Sequence, residues 1–155
     1  MFVACSTLCF SRLSLDDALR AIREMRFAKA DLAVHEPGPH LRPADVAADV
    51  GGVAKRLKAA NLPVAAIHLE TGDADPAAAK AQLRAVCRLG RLLAVPVVTV
   101  PAADAGADFD ADVGRLTEWA QVTAAEGLIL TVETRAGTLT ADPAGAVELC
   151  RRVPG

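Results

Sequence analysis

The sequence predicts a parallel α/β fold in a single domain over residues 1–155, and three observations carry that reading. Strand-like apolar runs alternate with amphipathic helical stretches five times, and the runs start about 30 residues apart. The runs are apolar at successive positions instead of alternating, as in strands covered on both faces. Apolar residues make up 52% of the chain and no linker or low-complexity tract interrupts them, so the length supplies one ordinary core. Aromatics are only 3%, so that core is built from small aliphatic side chains, Ala and Val above all.

The first strand covers residues 2–5 and runs into a loop over 6–11. Ser14 then caps a helix with Asp16 and Asp17 in its first turn, where the helix dipole favours anions. Leu15, Ala18, Leu19, Ile22 and Met25 give that helix its apolar stripe. A short second strand over 30–34 stops at His35-Glu36-Pro37-Gly38-Pro39-His40, through which no helix can run. Pro43 opens the next helix, with Val46, Val50, Val53, Ala54 and Leu57 on its buried face. The Gly51-Gly52 pair weakens it by roughly 1 kcal/mol per glycine, and Asn61 ends it. Pro63 leads into the third strand, 64–69. Asp75-Pro76 is a cap followed by proline at the first helical position, and Leu83, Val86, Cys87, Gly90 and Leu93 line the helix it starts. The fourth strand, 97–100, is enclosed by Pro96 and Pro101. A helix over 109–125 follows, with Phe109, Val113, Leu116, Trp119 and Ala120 on one face and Gly127 closing it. The fifth strand, 128–132, ends at Glu133; a polar loop follows, and Asp142-Pro143 starts a last helix to residue 152.

Charge and cysteine content narrow the function. The formal net charge is −2, so no basic footprint for nucleic acid is present, and no apolar run reaches the length of a membrane span. Residues 1–10 are apolar but have no positive region before them, so they read as a strand and the protein as cytoplasmic. Cys5 and Cys9 are four apart, but no second Cys/His pair completes a zinc site; Cys5, Cys9, Cys87 and Cys150 read as small buried hydrophobes in a reducing compartment.

Two architectures share this pattern. One is an open doubly wound, flavodoxin-like sheet. The other is the first five units of an eight-fold barrel. The loop after the first strand, Ser6-Thr7-Leu8-Cys9, has neither G-x-G-x-x-G nor a P-loop, which argues against a dinucleotide site. In either architecture chemistry is done at the carboxyl ends of the strands, which puts Glu133 forward.

Taken in order, FVACSTLCF with SLDDALRAIREMRF, then ADLAVHE, LPVAAIHLETG, VPVVTVPA and ILTVETRAGTLTADPAGAVELCRRV resemble the N-terminal part of the xylose isomerase-like TIM barrel superfamily. That group includes sugar-phosphate isomerases and epimerases, inosose dehydratases and endonuclease IV (AP endonuclease family 2). The resemblance implies a partial TIM barrel of about five of eight units. It implies that Glu133 ligates a divalent metal (Mn, Mg or Zn), because the family's strand-five glutamate does so. The remaining family ligands, an aspartate, a histidine and a second glutamate, lie on strands six to eight. The chain is therefore expected to be truncated, incomplete or inactive as an isomerase, with no metal in this chain as one outcome. An open barrel is expected to expose about two inward apolar side chains per strand, on the order of 15–30 kcal/mol in all at roughly 1.5–3 kcal/mol each. Its unpaired edge strands are expected to favour self-association.

The remaining candidates sit on the same rim. His68 ends the third strand and could bind substrate, shuttle a proton or ligate a metal. Glu70 points the same way if the strand persists, as a supporting partner or a solvated acid. His35 and Glu36 point in opposite directions if alternation holds; the resemblance implies an acidic substrate contact there, which selects Glu36. Arg135 could hold a phosphate or carboxylate bidentately. His40 reads as loop surface and Trp119 as core. No local motif supports a Ser-His-Asp or Cys-His nucleophile.

The resulting expectation is a sugar-phosphate isomerase/epimerase-like protein of carbohydrate metabolism. Glu133 is its catalytic residue and metal ligand, and His68, Glu36 and Arg135 line a small sugar or sugar-phosphate substrate. A non-catalytic barrel fragment or partner-binding domain is the alternative. Endonuclease IV-like hydrolysis ranks lower, because strand four ends in Pro101 without a histidine and no basic track is evident.

Overall fold

The computed structural model describes residues 3–154. Five parallel strands, β1 (Ala4–Ser6), β2 (Lys29–His35), β3 (Val64–Glu70), β4 (Val97–Pro101) and β5 (Ile129–Glu133), form one sheet in the order β1-β2-β3-β4-β5. Every crossover therefore steps in the same direction. Since parallel crossovers are right-handed, all the helices lie on one face of the sheet. A doubly wound sheet reverses direction at a switch point, and this order has none. The flavodoxin-like alternative is corrected by that order: the fold is the open, five-strand part of a TIM barrel.

The helices begin where their caps lie. Ser14 Oγ accepts the Asp17 N–H ahead of α1 (Leu15–Glu24). Asp75, Asp108 and Asp142 cap α4 (Pro76–Leu93), α5 (Phe109–Ala125) and α6 (Pro143–Arg152) in the same way. The helix expected from Pro43 is two helices instead: α2 (Pro43–Ala48) and α3 (Val50–Ala59). The break is at Asp49, whose carboxylate accepts the Gly52 N–H at 2.8 Å and so caps α3. A Cβ on Gly52 would lie 2.0 Å from that carboxylate, so the glycine permits the cap. The first strand starts at Ala4 where the sequence suggested 2–5; residue 2 lies outside the described residues.

The strands alternate after all. Leu32, Val34, Ile67, Leu69, Val98 and Val100 are fully buried under the helices, against Ile22, Val46, Leu83, Val86, Leu89 and Leu116. Their sequence neighbours face the barrel axis: Asp31, Ala33 and His35 on β2, Ala66, His68 and Glu70 on β3, Thr99 on β4, Thr131 and Glu133 on β5. The expected exposure of about two inward apolar side chains per strand is thus wrong for most of this face, which is polar or alanine-lined. Exposed Ile129 on the edge strand is an exception. A polar inner face needs no apolar filling, which lowers the cost of leaving the cylinder open.

The cysteine expectation holds for one of four. Cys87 is buried and Cys5 half-buried, while Cys9 and Cys150 are exposed; none forms a disulfide. Trp119 is core, as read. No helix among the described residues is long and apolar enough to cross a membrane.

Candidate metal centre

Register builds the site. On the inner face His35 pairs in register with Glu70, and Glu133 pairs with Pro101, so His35, Glu70 and Glu133 share the rim layer at the carboxyl ends of the strands. One layer down, Ala33, His68, Thr99 and Thr131 stand in register across four strands. Alanine on one side of His68 leaves room for its ring. On the other side Thr99 and Thr131 hydrogen-bond each other at 2.9 Å.

The side chains converge. His68 Nε2 is 3.5 Å from Glu133 Oε2 and 3.8 Å from Glu70 Oε1. The His35 ring meets the His68 ring edge-on, with centroids 4.8 Å apart. His35, His68 and Glu70 each offer one ligand atom within 4.8 Å of the others. His35 Nε2, His68 Nε2 and Glu133 Oε2 are all buried without a hydrogen-bond partner in the structure. Buried polar atoms without partners are costly, and here they face one another. Two imidazoles and two carboxylates form a donor set suited to Zn²⁺ or Mn²⁺, more than to the all-oxygen shell Mg²⁺ prefers. The residues therefore fit a divalent cation.

Electrostatics agree with that donor set. Burial pushes the His35 pKa down, with Glu70 and Glu133 opposing and His68 and Arg135 assisting, which favours the neutral ligating imidazole. Burial raises the Asp31 carboxyl, opposed by His68 and reinforced by Glu133.

The loop after β5 is held in place by its threonines. Thr140 Oγ1 donates to the Glu133 carbonyl at 2.7 Å and Thr138 Oγ1 to the Arg135 carbonyl at 2.7 Å. Leu139 N–H donates to the Ala103 carbonyl at 2.8 Å and Ala105 N–H to the Gly137 carbonyl at 2.9 Å. Arg135 then reaches back to Glu70 through a short hydrogen bond, and its guanidinium is 3.8 Å from Glu133 Oε2.

Of the residues singled out in the sequence, the structure thus brings together Glu133, His68, Glu70 and Arg135. It does not bring Glu36 to them through any ion pair among the described residues. Glu36 precedes a cis proline; its N–H donates to the Glu70 carbonyl at 2.9 Å and its carboxylate lies in the field of Arg42. His35 takes the axis-facing position, and the sequence signal for it was the buried pair Leu32 and Val34 at alternate positions before it. His40 is not simple surface, since both its ring nitrogens are buried.

No protein-family model and no curated protein matches this sequence. Solved structures match it in fold. A xylose isomerase-like TIM barrel protein from Mycobacterium smegmatis, in complex with magnesium, superposes with a TM-score of 0.77 at 16% identity, over 98% of this chain and 61% of its own. The probable 3-DHS dehydratase AsbF, involved in petrobactin synthesis in Bacillus anthracis, gives 0.76 at 17% identity, over 99% of this chain and 59% of its own. A D-allulose 3-epimerase from Methylomonas sp. gives 0.73 at 13% identity, over 99% and 59%. The chain spans about 60% of the length of these proteins, and the likeness is one of fold.

Proposed function

We propose that this chain carries a divalent-metal site of the kind used to isomerise or epimerise a small sugar or sugar phosphate. Three buried polar atoms without a hydrogen-bond partner, on His35, His68 and Glu133, converge at the rim and carry this reading. The epimerases among the structural neighbours support the reaction class and the sugar-like substrate.

His35, His68, Glu70 and Glu133 would hold the ion. When bound, it supplies a Lewis acid that polarises a carbonyl and eases loss of the neighbouring proton. Glu133 would take that proton and return it, on the carboxylate oxygen that does not face His68. Arg135 would pair with an anionic substituent of the substrate, and His68 and Glu36 would line the rim around it. Five strand ends surround a bound substrate on one side only. We therefore propose metal binding by the isolated chain with little or no turnover, and a non-catalytic, partner-binding role as the alternative.

A second reading draws on one observation. The paired imidazoles of His35 and His68 give the histidine-rich set that endonuclease IV-like hydrolysis would use. The absence of a histidine at the end of β4 and the net charge of −2 weigh against it.

The test is calorimetric titration with Mn²⁺ and with Zn²⁺. One equivalent should bind to the wild type, and Glu133→Ala should weaken binding by at least about tenfold. No binding at millimolar metal would overturn the site.

A further inference from the structure

The Arg135 guanidinium lies against the same two oxygens that face His68, hydrogen-bonding one and standing near the other. It donates to Glu70 Oε1, which is 3.8 Å from His68 Nε2, and lies 3.8 Å from Glu133 Oε2, which is 3.5 Å from His68 Nε2. A divalent ion bound at those two oxygens would sit close to this guanidinium and repel it, so the two cations compete there. The backbone of Arg135 is pinned through Thr138 and the contacts to Ala103 and Ala105, whereas its side chain is 41% exposed. The side chain is therefore the part that can yield.

It has somewhere to go. A cleft of about 650 Å³ adjoins the site; Glu70 and Arg135 line it together with Thr71, Pro101, Ala102 and Trp119. A guanidinium released from Glu70 into that cleft is a planar, two-pronged donor for an oxyanion.

We propose that Arg135 is the internal counter-ion of the metal-free site, and that metal binding releases it to form a subsite for a small oxyanion, such as a phosphate or sulfate group on the ligand. This rests on the metal-site reading above. Linkage then requires reciprocity: the metal tightens anion binding, and the anion tightens metal binding by the same factor. Asp73 and Asp104 also line the cleft as acids that compete for the freed guanidinium, while a third, Glu118, is paired with Lys80.

The experiment is calorimetry on the full chain with Mn²⁺ and with sulfate, using wild type, Arg135→Met and Arg135→Lys. Circular dichroism melts would establish that each variant is folded. Arg135→Met should bind Mn²⁺ at least about fivefold more tightly than wild type, with Arg135→Lys between them. Sulfate should bind wild type at least about fivefold more tightly when Mn²⁺ is saturating, and Arg135→Met should lose that gain. If wild type binds Mn²⁺ but Arg135→Met binds it equally or more weakly, the exchange is wrong and the metal site stands. If Mn²⁺ leaves sulfate affinity unchanged, the released arginine goes to an acidic neighbour and the oxyanion subsite is wrong. If neither protein binds Mn²⁺, the metal-site reading fails and this proposal fails with it.

Discussion

His68 Nε2 lies 3.5 Å from Glu133 Oε2 although their strands, β3 and β5, are separated by β4. Two strands apart in a flat sheet is about 9.6 Å at the usual spacing. The two side chains close that gap across Thr99, from adjacent layers of the inner face. The carboxylate of one strand and the imidazole of another thus form a single unit. Replacing His68 with Gln should weaken Zn²⁺ binding by at least about tenfold while leaving the melting temperature of the metal-free protein nearly unchanged. Paired metal titrations and thermal melts check this; unchanged affinity would remove His68 from the site.

The rim depends on one glycine. Gly72 has φ +57°, and a Cβ there would lie 2.4 Å from the Glu36 carbonyl oxygen. This close approach brings the loop after β2 against the loop after β3. Gly72→Ala should cost about 1–3 kcal/mol from the left-handed backbone and the clash together, read from urea midpoints. It should also weaken metal binding, because His35 and Glu70 lie on the two segments that would be pushed apart.

Thr7 is fully buried, and its Oγ1 accepts the Ala33 N–H at 3.0 Å. Valine has the same shape but accepts no hydrogen bond. Thr7→Val should destabilise the fold by about 1–3 kcal/mol through the unpaired amide, measured by chemical denaturation. A neutral effect would mean that water reaches that N–H.

The cysteines should separate by reactivity. Burial, reinforced by the field of Glu126, pushes the Cys87 thiol up to about 12, while Cys9 and Cys150 are exposed. A thiol-specific chromogenic reagent at mildly alkaline pH should label Cys9 and Cys150 rapidly, and Cys87 only after unfolding. Rapid labelling of Cys87 in the native protein would contradict its burial in the core on α4.

Local signals in the sequence are sufficient for most of the elements. Ser14, Asp75-Pro76 and Asp142-Pro143 mark helix starts by their own capping chemistry, so those helices begin where expected. Strand order was not legible, because the direction of each crossover is set by packing and not by any local residue. The inner face is hard to read from the sequence for a related reason. Ala33 and Ala66 sit between apolar neighbours, so the runs look continuously buried, while in the fold these small side chains line the barrel axis. The sequence alone does not select His35 over Glu36, because one-residue register decides which of the two faces the axis. The break at Asp49 hides within a helical apolar pattern and depends on a cap that only Gly52 leaves room for.

The most direct measurement is an anomalous difference map from crystals grown with Zn²⁺. One strong peak is expected at the rim, within bonding distance of His68 Nε2 and at least two of His35, Glu70 and Glu133. A well-ordered rim with no peak, or zinc bound only elsewhere on the molecule, would contradict it.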